Sequence, residues 1–461
     1  MRPAGTSRPV AVAPGGRVVI LLGTPFTPLA DALGRLEDAV SPLVGIVTHS
    51  VGTMSAPDES PLPNCACELA SATRTLGAFA VEYGSGAHPD PARARAAAIG
   101  EAVERYSATF VPGERLRTTT ARKLGVRAVR PSRFGLFDAS QLERPEFPFV
   151  PFDEDTTTAF VEGYSLTDGG SAWLPAELVY LQPPVPGMRP IGYATSSGLA
   201  CGPSYDEAVL AALLELVERD AVMLTWSNRL SLPLLRWDGD DDLEVLDDRY
   251  FGATGLPHAV VDASAFLDVP VAIGIVHGMA GSRAALAVGA GCAASMRDAW
   301  LKALSEAFGV HRWLGLQIET DPERPVPRAE DVSTFDDHML FYSSAEHAER
   351  AAFLLGSRDC TFVADVPMLQ GATPRELIAE VVGRLARHGV AAYAVDVTSP
   401  DVRCLGLHVV RVVCPELCAL DVAHTARFLG SARLLTGAYA AEVLPGPLDV
   451  GALNPDPHPF P

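Results

Sequence analysis

Apolar and polar residues recur with two different periods along the chain, and the two periods predict two kinds of element. A helical spacing runs through LADALGRLEDAV and through three longer stretches, ARARAAAIGEAVERYSATF, EAVLAALLELVERDAVML and RDAWLKALSEAFGVHRWL. Residues 17–22 and the β-branched runs HAVVDAS, VPVAIGIVHG, AAYAVDVT and GLHVVRVV predict strands. Strands mixed with long helices indicate an α/β architecture.

Each of the three long helical stretches follows a glycine-rich segment, EYGSGAHPD, SSGLACGPS or AVGAGCAAS, which we interpret as a turn that leads into the helix. The third segment also matches the pattern G-x-G-x-x-A, from Gly289 to Ala294, which is found in dinucleotide-binding folds. Only Glu306 lies near the acidic position expected downstream, and it lies within the following helix, so this match is weak. No Walker A motif is present.

The sequence ends in NPDPHPFP, where proline occupies every second position. Proline lacks the backbone donor that a helix interior and a central strand both require. We therefore predict that this tail is neither helix nor central strand.

Composition narrows the classes of function. The 461 residues, 48% of them hydrophobic, are sufficient for a large core. The net charge of −20 disfavours binding to nucleic acid or to an anionic membrane. The N-terminal apolar run Val18-Val-Ile-Leu-Leu22 is far shorter than the roughly 18 residues of a membrane span, and Gly23-Thr-Pro is no cleavage site. We therefore expect a cytoplasmic protein.

Eight cysteines are too few for a disulfide framework in a chain of this size. The pairs Cys65/Cys67 and Cys414/Cys418 could in principle supply four zinc ligands. Neither pair has the usual two-residue spacing, and VVRVVC reads as a strand, so a structural zinc site is disfavoured.

The five-residue pattern E-x-x-E-R occurs twice, and both copies lie within predicted helices. The copies are Glu101-Ala-Val-Glu104-Arg105 and Glu215-Leu-Val-Glu218-Arg219. A spacing of three and four residues places these groups on one side of a helix. At about 100° per residue, Glu207 falls on the same third of the second helix as Glu215, Glu218 and Arg219.

Two interpretations of these glutamates compete. A solvated helix face with ion pairs, each contributing about 0.3–0.5 kcal/mol, would explain one copy. Two copies, with Glu306 in the third helix, suggest a cation site instead, because clustered carboxylates raise one another's pKa unless a cation holds them. Oxygen ligands suit Mg²⁺, and adjacent arginines suit phosphate oxygens. The residues alone leave both interpretations open.

Several segments together resemble the YcaO-domain proteins, specifically the azoline-forming cyclodehydratase D-proteins of thiazole/oxazole-modified peptide biosynthesis. The resemblance runs from about residue 80 to the C-terminus, through ARARAAAIGEAVERYSA, SSGLACGPSYDEAVLAALLELVERDA, ALSEAF, DDHMLFYSSAEHAERAAFLL, DVTSPDVRCLGLHVVRVVCPEL and NPDPHPFP. It implies an α/β, YcaO-type fold with mixed sheets and long helices that carry a Mg-ATP site between them. It also implies a strand/helix segment at 1–79, a YcaO domain at 80–446 and a proline-rich tail at 447–461.

The resemblance implies roles for particular residues, with ATP and Mg²⁺ as cofactors. Glu101, Glu104, Glu215 and Glu218 match metal ligands. Nucleotide contacts are implied for Arg105, Glu207, Arg219 and Glu306. Pro461 ends a P-x-P-x-P motif whose C-terminus is thought to enter the active site, where its carboxylate, with His458, would assist proton transfer. The sequence departs from the family pattern at Ser85, Ala97, Pro203 and Gly309.

The reaction implied is ATP-dependent cyclodehydration of Cys, Ser or Thr residues in a ribosomally made precursor peptide, which gives thiazoline or oxazoline. The expected partners are a ThiF/E1-like protein that binds the peptide leader in trans, a flavin-dependent dehydrogenase that could act later, and a second copy of the chain in a homodimer. The alternatives are a YcaO-type enzyme that forms thioamides or amidines, and a catalytically degenerate nucleotide-binding scaffold of a synthetase complex.

Overall fold

A computed structural model describes residues 24–56, 59–71, 83–183, 185, 187–278 and 284–461. The predicted strand at residues 17–22 lies outside these ranges. The strands of the described part are β1 (Val47–Thr53), β2 (Asn64–Leu69), β3 (Tyr83–Ala87), β4 (Leu116–Thr119), β5 (Thr158–Ser165), β6 (Ser171–Pro175), β7 (Leu199–Gly202), β8 (Leu234–Arg236), β9 (His258–Asp262), β10 (Val271–His277), β11 (Leu286–Cys292), β12 (Cys360–Phe362), β13 (Tyr393–Asp396) and β14 (His408–Val413).

The α-helices of the same ranges differ greatly in length, and three of them exceed all the others. They are α1 (Leu29–Glu37), α2 (Pro91–Thr109), α3 (Ala121–Leu124), α4 (Ala139–Leu142), α5 (Tyr205–Ser227), α6 (Asp241–Leu246), α7 (Met296–Thr320), α8 (Phe335–Phe341), α9 (Ala345–Arg350), α10 (Pro374–Arg387), α11 (Pro400–Cys404) and α12 (Ala432–Ala440). Among these helices, none combines the length and apolar composition needed to cross a bilayer.

Three sheets organise the strands, in the orders β1-β2-β3, β11-β10-β9-β8-β12 and β4-β5-β13-β14-β7, with β6 paired to β5. All recorded strand pairs are antiparallel except β8 with β12, which is parallel. The architecture is therefore mixed α/β, as the sequence predicts. The strands β3, β7 and β11 each lie at the edge of their sheet.

The long helices alternate with the sheets in layers. Helix α2 packs on β1, β2 and β3 and on β7, while α5 packs on β7 and β14 and on β10 and β11. Strand β7 separates the two helices, because Leu199 belongs to the apolar core around α2 and Ala200 to the core around α5. Strand β11 likewise separates α5 from α7, with Val288 facing the first core and Ala287 the second.

Glycines allow edge strands to lie directly on helix backbone. A Cβ added to Gly84 would lie 2.8 Å from the nitrogen of Ala102 in α2, and one added to Gly289 would lie 2.7 Å from the oxygen of Ala303 in α7. Real side chains do not approach backbone so closely, so only glycine permits this contact.

The structure confirms some of the sequence predictions and contradicts others. The three long helices, the strands within HAVVDAS, VPVAIGIVHG, AAYAVDVT and GLHVVRVV, and the non-helical, non-strand tail are confirmed. The interpretation of the glycine-rich segments as turns is wrong, because YGSGA forms β3, LACG forms β7 and LAVGAGC forms β11. Strands β1 and β2, from the predicted segment 1–79, share one sheet with β3.

The four cysteines considered as zinc ligands do not form one group. Cys65 and Cys67 are buried in the core around α2, whereas Cys414 and Cys418 are buried in the core around α5.

Candidate active site

Two edge strands, β3 and β11, each donate a backbone hydrogen bond to a glutamate on the helix that follows the strand. Glu101 Oε2 accepts from the N–H of Ser85 at 2.6 Å, and Glu306 Oε2 accepts from the N–H of Ala290 at 2.5 Å, each across 16 residues. Amides that point away from an edge strand have no ladder partner, so these carboxylates satisfy them. In both cases, a backbone amide of the strand holds the glutamate of the following helix in place.

The middle helix follows the same rule and adds a second carboxylate. Glu215 Oε2 accepts from Gly198 N–H at 3.3 Å, 17 residues earlier and directly before β7. Glu218 Oε2 accepts from Cys292 N–H of β11 at 2.8 Å. Glu218 therefore links α5 to β11, the edge strand that precedes α7.

Four cations lie among these carboxylates. Arg105 pairs with Glu101 at 2.7 Å and donates to the oxygen of Tyr83 at 2.6 Å. Arg219 Nη2 lies 3.8 Å from Glu215 and 3.6 Å from Glu218, and its buried Nε has no hydrogen-bond partner among the described residues.

Lys302 and Arg411 are members of the cluster that sequence reasoning missed. Lys302 Nζ lies 3.5 Å from Glu218 Oε2 and 3.1 Å from the oxygen of Cys292. Its position one helical turn before Glu306 was the signal that could have identified it. Arg411, buried in β14, donates to the oxygens of Val179, Thr195 and Ser197, and no motif marks it.

Burial and repulsion from neighbouring carboxylates raise the pKa of Glu104, Glu215 and Glu306. Burial raises the pKa of Glu215 to about 7, with Glu218 adding repulsion, and Arg219 opposes the shift. Burial likewise raises the pKa of Glu306 to about 7. Burial, then the charges of Glu215 and Glu101, raises the pKa of Glu104 well above its ordinary value.

The donor set fits a hard cation. Glu104 makes no hydrogen bond or ion pair with the described part of the chain, and the neighbouring carboxylates repel one another, so a cation would relieve a real electrostatic cost. Oxygen ligands from several carboxylates are those that Mg²⁺ takes, commonly together with phosphate.

Glu207 lies apart from the cluster in its contacts. Its carboxylate accepts from Ser204 Oγ at 2.6 Å, from Thr27 N–H at 3.0 Å and from Thr27 Oγ1 at 2.8 Å. It therefore joins the start of α5 to the segment before α1. Glu207 shares a helix face with Glu215 and Glu218, but 11 residues of helix, about 16 Å at 1.5 Å per residue, separate it from Glu218. The shared face alone therefore does not bring Glu207 into contact with the cluster.

The proline-rich tail lies buried in a groove. Because its prolines have no N–H, side chains around it donate to its carbonyls. The donors are Arg427 to Asn454, Trp226 to Asp456, Tyr342 to Pro457, His338 to His458 and Arg219 to Pro461, at 2.5–3.4 Å. Arg350 also pairs with the Asp456 carboxylate at 2.8 Å.

Arg219 thereby joins the two predicted parts of the site. Its Nη1 donates to the oxygen of Pro461 at 3.4 Å while its Nη2 faces Glu215 and Glu218. The structure thus brings together Glu101, Glu104, Glu215, Glu218, Glu306, Arg105, Arg219 and Pro461.

The positions that depart from the family pattern have identifiable contacts. Ser85 supplies the amide that Glu101 binds, and Ala97 lies against Gly86, whose added Cβ would be 2.8 Å from it. The oxygen of Pro203 accepts from Arg35 at 2.5 Å. Gly309 faces open space, with no atom within 4 Å of an added Cβ.

Comparison with known proteins identifies relatives. A family model described as YcaO cyclodehydratase, ATP- and Mg²⁺-binding, matches residues 83–418. An uncharacterized protein in the tfuA 3′ region of Rhizobium leguminosarum bv. trifolii is 30% identical over 236 residues, 49% of this chain and 51% of that protein. The chain thus spans about half the length of this curated relative.

Two solved structures share the fold. A heterocyclase in complex with substrate and cofactor has a TM-score of 0.79 at 24% identity, covering 96% of this chain and 59% of that one. YcaO from Methanopyrus kandleri, bound with AMPPCP and Mg²⁺, has a TM-score of 0.57 at 19% identity, covering 83% and 88%. With the family model matching most of its length, the chain belongs to the YcaO cyclodehydratase family.

Proposed function

We propose that this protein catalyses the ATP-dependent cyclodehydration of Cys, Ser or Thr residues in a ribosomally made precursor peptide, giving thiazoline or oxazoline. The observation that carries the proposal is the meeting of a buried carboxylate cluster with the proline tail through Arg219. A phosphate site and a proton acceptor are the two elements that such a reaction requires.

The carboxylates of Glu101, Glu104, Glu215 and Glu218 would hold Mg²⁺. The metal would supply neutralisation of phosphate charge, which is the main demand of phosphoryl transfer. Arg105, Arg219 and Lys302 each lie within ion-pair distance of one of these glutamates, and Glu306 is influenced by the charges of Arg219 and Lys302. The three cations are suited to phosphate oxygens. Glu207, bound to Thr27, would contact the nucleotide away from the metal ligands.

The proposed reaction begins when the side chain of the precursor residue attacks the preceding amide carbonyl and forms a tetrahedral hemiorthoamide. The oxygen of that centre takes the γ-phosphoryl group of ATP, with ADP as the leaving group. Cleavage of the C–O bond then releases phosphate while the nitrogen loses its proton, which leaves the C=N bond of the azoline. The carboxylate proposed for Pro461 would accept a proton while Arg219, which donates to the Pro461 oxygen, fixes its position.

We further propose that a ThiF/E1-like protein acts in trans by binding the leader of the precursor, and that a flavin-dependent dehydrogenase could oxidise the rings afterwards. A homodimer is the proposed assembly. The heterocyclase of similar fold is a longer chain, of which this one covers 59%.

Reconstitution with a candidate precursor, ATP, Mg²⁺ and the partner tests the function by mass spectrometry. A loss of about 18 Da per modified residue marks cyclodehydration, whereas a gain of about 16 Da marks sulfur exchange and the thioamide alternative. Product formation by the Glu218→Gln variant at the wild-type rate would contradict the proposed role of the cluster and favour a scaffold. Omission of the partner tests whether activity depends on it.

A further inference from the structure

His458 lies within the buried tail with both ring nitrogens committed. Its side chain is 1% exposed, Nδ1 lies 3.3 Å from the N–H of Phe460, and Nε2 lies 2.7 Å from the oxygen of Asp421. An amide can only donate and a carbonyl can only accept, so Nδ1 must be the acceptor and Nε2 must carry the proton. The geometry thus selects one neutral tautomer, which is fully hydrogen-bonded and unsuited to proton transfer.

Protonation would disrupt this arrangement. A hydrogen on Nδ1 would face the N–H of Phe460, and the new charge would be buried without a partner at that nitrogen. The protonated ring would keep its Nε2–H bond to Asp421, but the clash at Nδ1 and the buried charge would weaken docking of the segment.

Charged and titratable groups lie around His458 and around its neighbours His338 and His424. His338 and Asp337 belong to α8, Asp421, His424 and Arg427 to the preceding loop, Arg219 to α5, and Asp456 to the tail. Burial lowers the pKa of His458 well below its ordinary value, and the charges of His338, Arg427 and Arg219 add to this shift. The bond to the Asp421 oxygen opposes it.

A metal site is the competing explanation for this cluster. Ligand atoms of His338, Asp421 and His458 lie within 4.8 Å of one another. The two imidazole rings, however, are stacked at 3.8 Å, and His338 directs its nitrogens at the oxygens of His458 and Val422, each at 2.9 Å. The ring nitrogens of both histidines therefore form hydrogen bonds with backbone groups that hold the tail, and they do not point at one common ion position.

We propose that His458 is a positioning residue that locks the proline tail in its groove while neutral and releases the tail when protonated. Release would withdraw Pro461 from Arg219 and leave the carboxylate cluster in place. The catalytic consequence rests on the proposed function, whereas the docking itself does not.

The direction of the pH dependence follows from linkage. The docked ring has a lowered pKa, and the undocked tail histidine titrates near its ordinary value of about 6.5. Docking is therefore strongest above that value and is lost as pH falls. One linked proton reduces the docking constant by about tenfold for each pH unit below about 6.5.

A proline-specific endopeptidase provides the test, because the tail offers a cleavage position after each proline only when it leaves the groove. Loss of the tail from the full-length protein is followed by intact mass at pH 7.5 and 5.5, with the protease calibrated at each pH on a free NPDPHPFP peptide. We expect a normalised cleavage rate about tenfold higher at pH 5.5, with the circular dichroism spectrum unchanged.

Two substitutions separate the ring from general effects of acid. His458→Gln keeps an amide donor for Asp421 but cannot be protonated, so its cleavage rate should change less than twofold between the two pH values, whether the tail is docked or free. His388→Gln, at an exposed histidine after α10, should behave as the wild type. Equal protection of the wild type at both pH values, or a wild-type response in His458→Gln, overturns the proposal.

Two further readouts distinguish rival outcomes. Release of the tail by a chelator at pH 7.5 would favour a metal site and contradict the lock. The tail could respond to pH as expected in a protein that dehydrates no precursor at pH 7.5. That combination would support the lock by His458 and contradict the proposed function.

Discussion

The guanidinium of Arg219 lies 3.4 Å from the oxygen of Pro461 and within 3.8 Å of both Glu215 and Glu218. One side chain from the middle of α5 therefore touches the carboxylate cluster and the end of the sequence at once. The two features that the sequence marks most clearly, the E-x-x-E-R repeat and the proline tail, form a single site.

Adding two residues, Gly-Ser, after Pro461 is expected to abolish precursor dehydration, by about 100-fold or more, since it moves the carboxylate away from Arg219. Nucleotide binding should stay within twofold of wild type because the glutamates are unchanged. Both are measured on the same preparation, by mass spectrometry and by calorimetry with a nonhydrolysable nucleotide. Full activity of the extended protein would refute the role of Pro461.

Replacement of Glu306 by Gln is expected to reduce nucleotide-dependent activity by about 100-fold while leaving the fold intact, because the amide oxygen still accepts from Ala290. The matched control is Glu319→Gln, which removes the same charge from an exposed position of the same helix. Kinetics at saturating ATP and Mg²⁺ compare the two. Equal rates in both variants would exclude Glu306 from the site.

The metal-free protein is expected to lose stability as pH rises from about 4.5 to about 7. Glu215 and Glu306 have folded pKa values of about 7, above their ordinary value of 4.5, so their contribution is present in acid and lost as they ionise. Mg²⁺ binds the ionised form and, at about 100 times its Kd, adds about 2.7 kcal/mol.

Thermal unfolding at pH 6 and pH 8, with and without Mg²⁺, measures this coupling. The increase in Tm caused by Mg²⁺ should be larger at pH 8. An increase that is the same at both pH values would show that these two carboxylates do not bind the ion.

Gly289→Ala is expected to destabilise the protein by about 1–3 kcal/mol, because the new methyl group would lie 2.7 Å from the oxygen of Ala303 in α7. Gly309→Ala lies within that helix and meets no atom within 4 Å, so it should stabilise by up to about 1 kcal/mol. Denaturant unfolding of both variants measures whether each substitution lowers or raises the free energy of unfolding. Destabilisation by Gly309→Ala of the same size would show that the contact with Ala303 is not the cause.

The sequence identifies the glutamate helices and the tail because each carries a dense local pattern. It misidentifies YGSGA as a turn for a physical reason: Gly84 and Gly86 occupy the positions where a strand would show apolar residues, and they pack on helix backbone without a side chain. Lys302 lies one helical turn before Glu306, a signal that could have identified it, whereas Arg411 reaches the cluster from a single position that only tertiary structure reveals. Glu207 shares the helix face of Glu215 and Glu218, but its hydrogen bonds run to Thr27 and Ser204, and its contact with the nucleotide stays a prediction.

The amides of Ser85 and Ala290 are satisfied by glutamates, and this has a consequence for the behaviour of the protein at high concentration. A strand edge whose donors are already engaged cannot recruit a strand from another molecule. Strand β3 is partly exposed, so truncating Glu101 to alanine would leave the Ser85 amide without its acceptor and favour intermolecular sheet growth. This variant is expected to self-associate. The carboxylate of Glu101 therefore serves colloidal solubility as well as chemistry, and glutamine, which keeps the acceptor, is the substitution that separates the two.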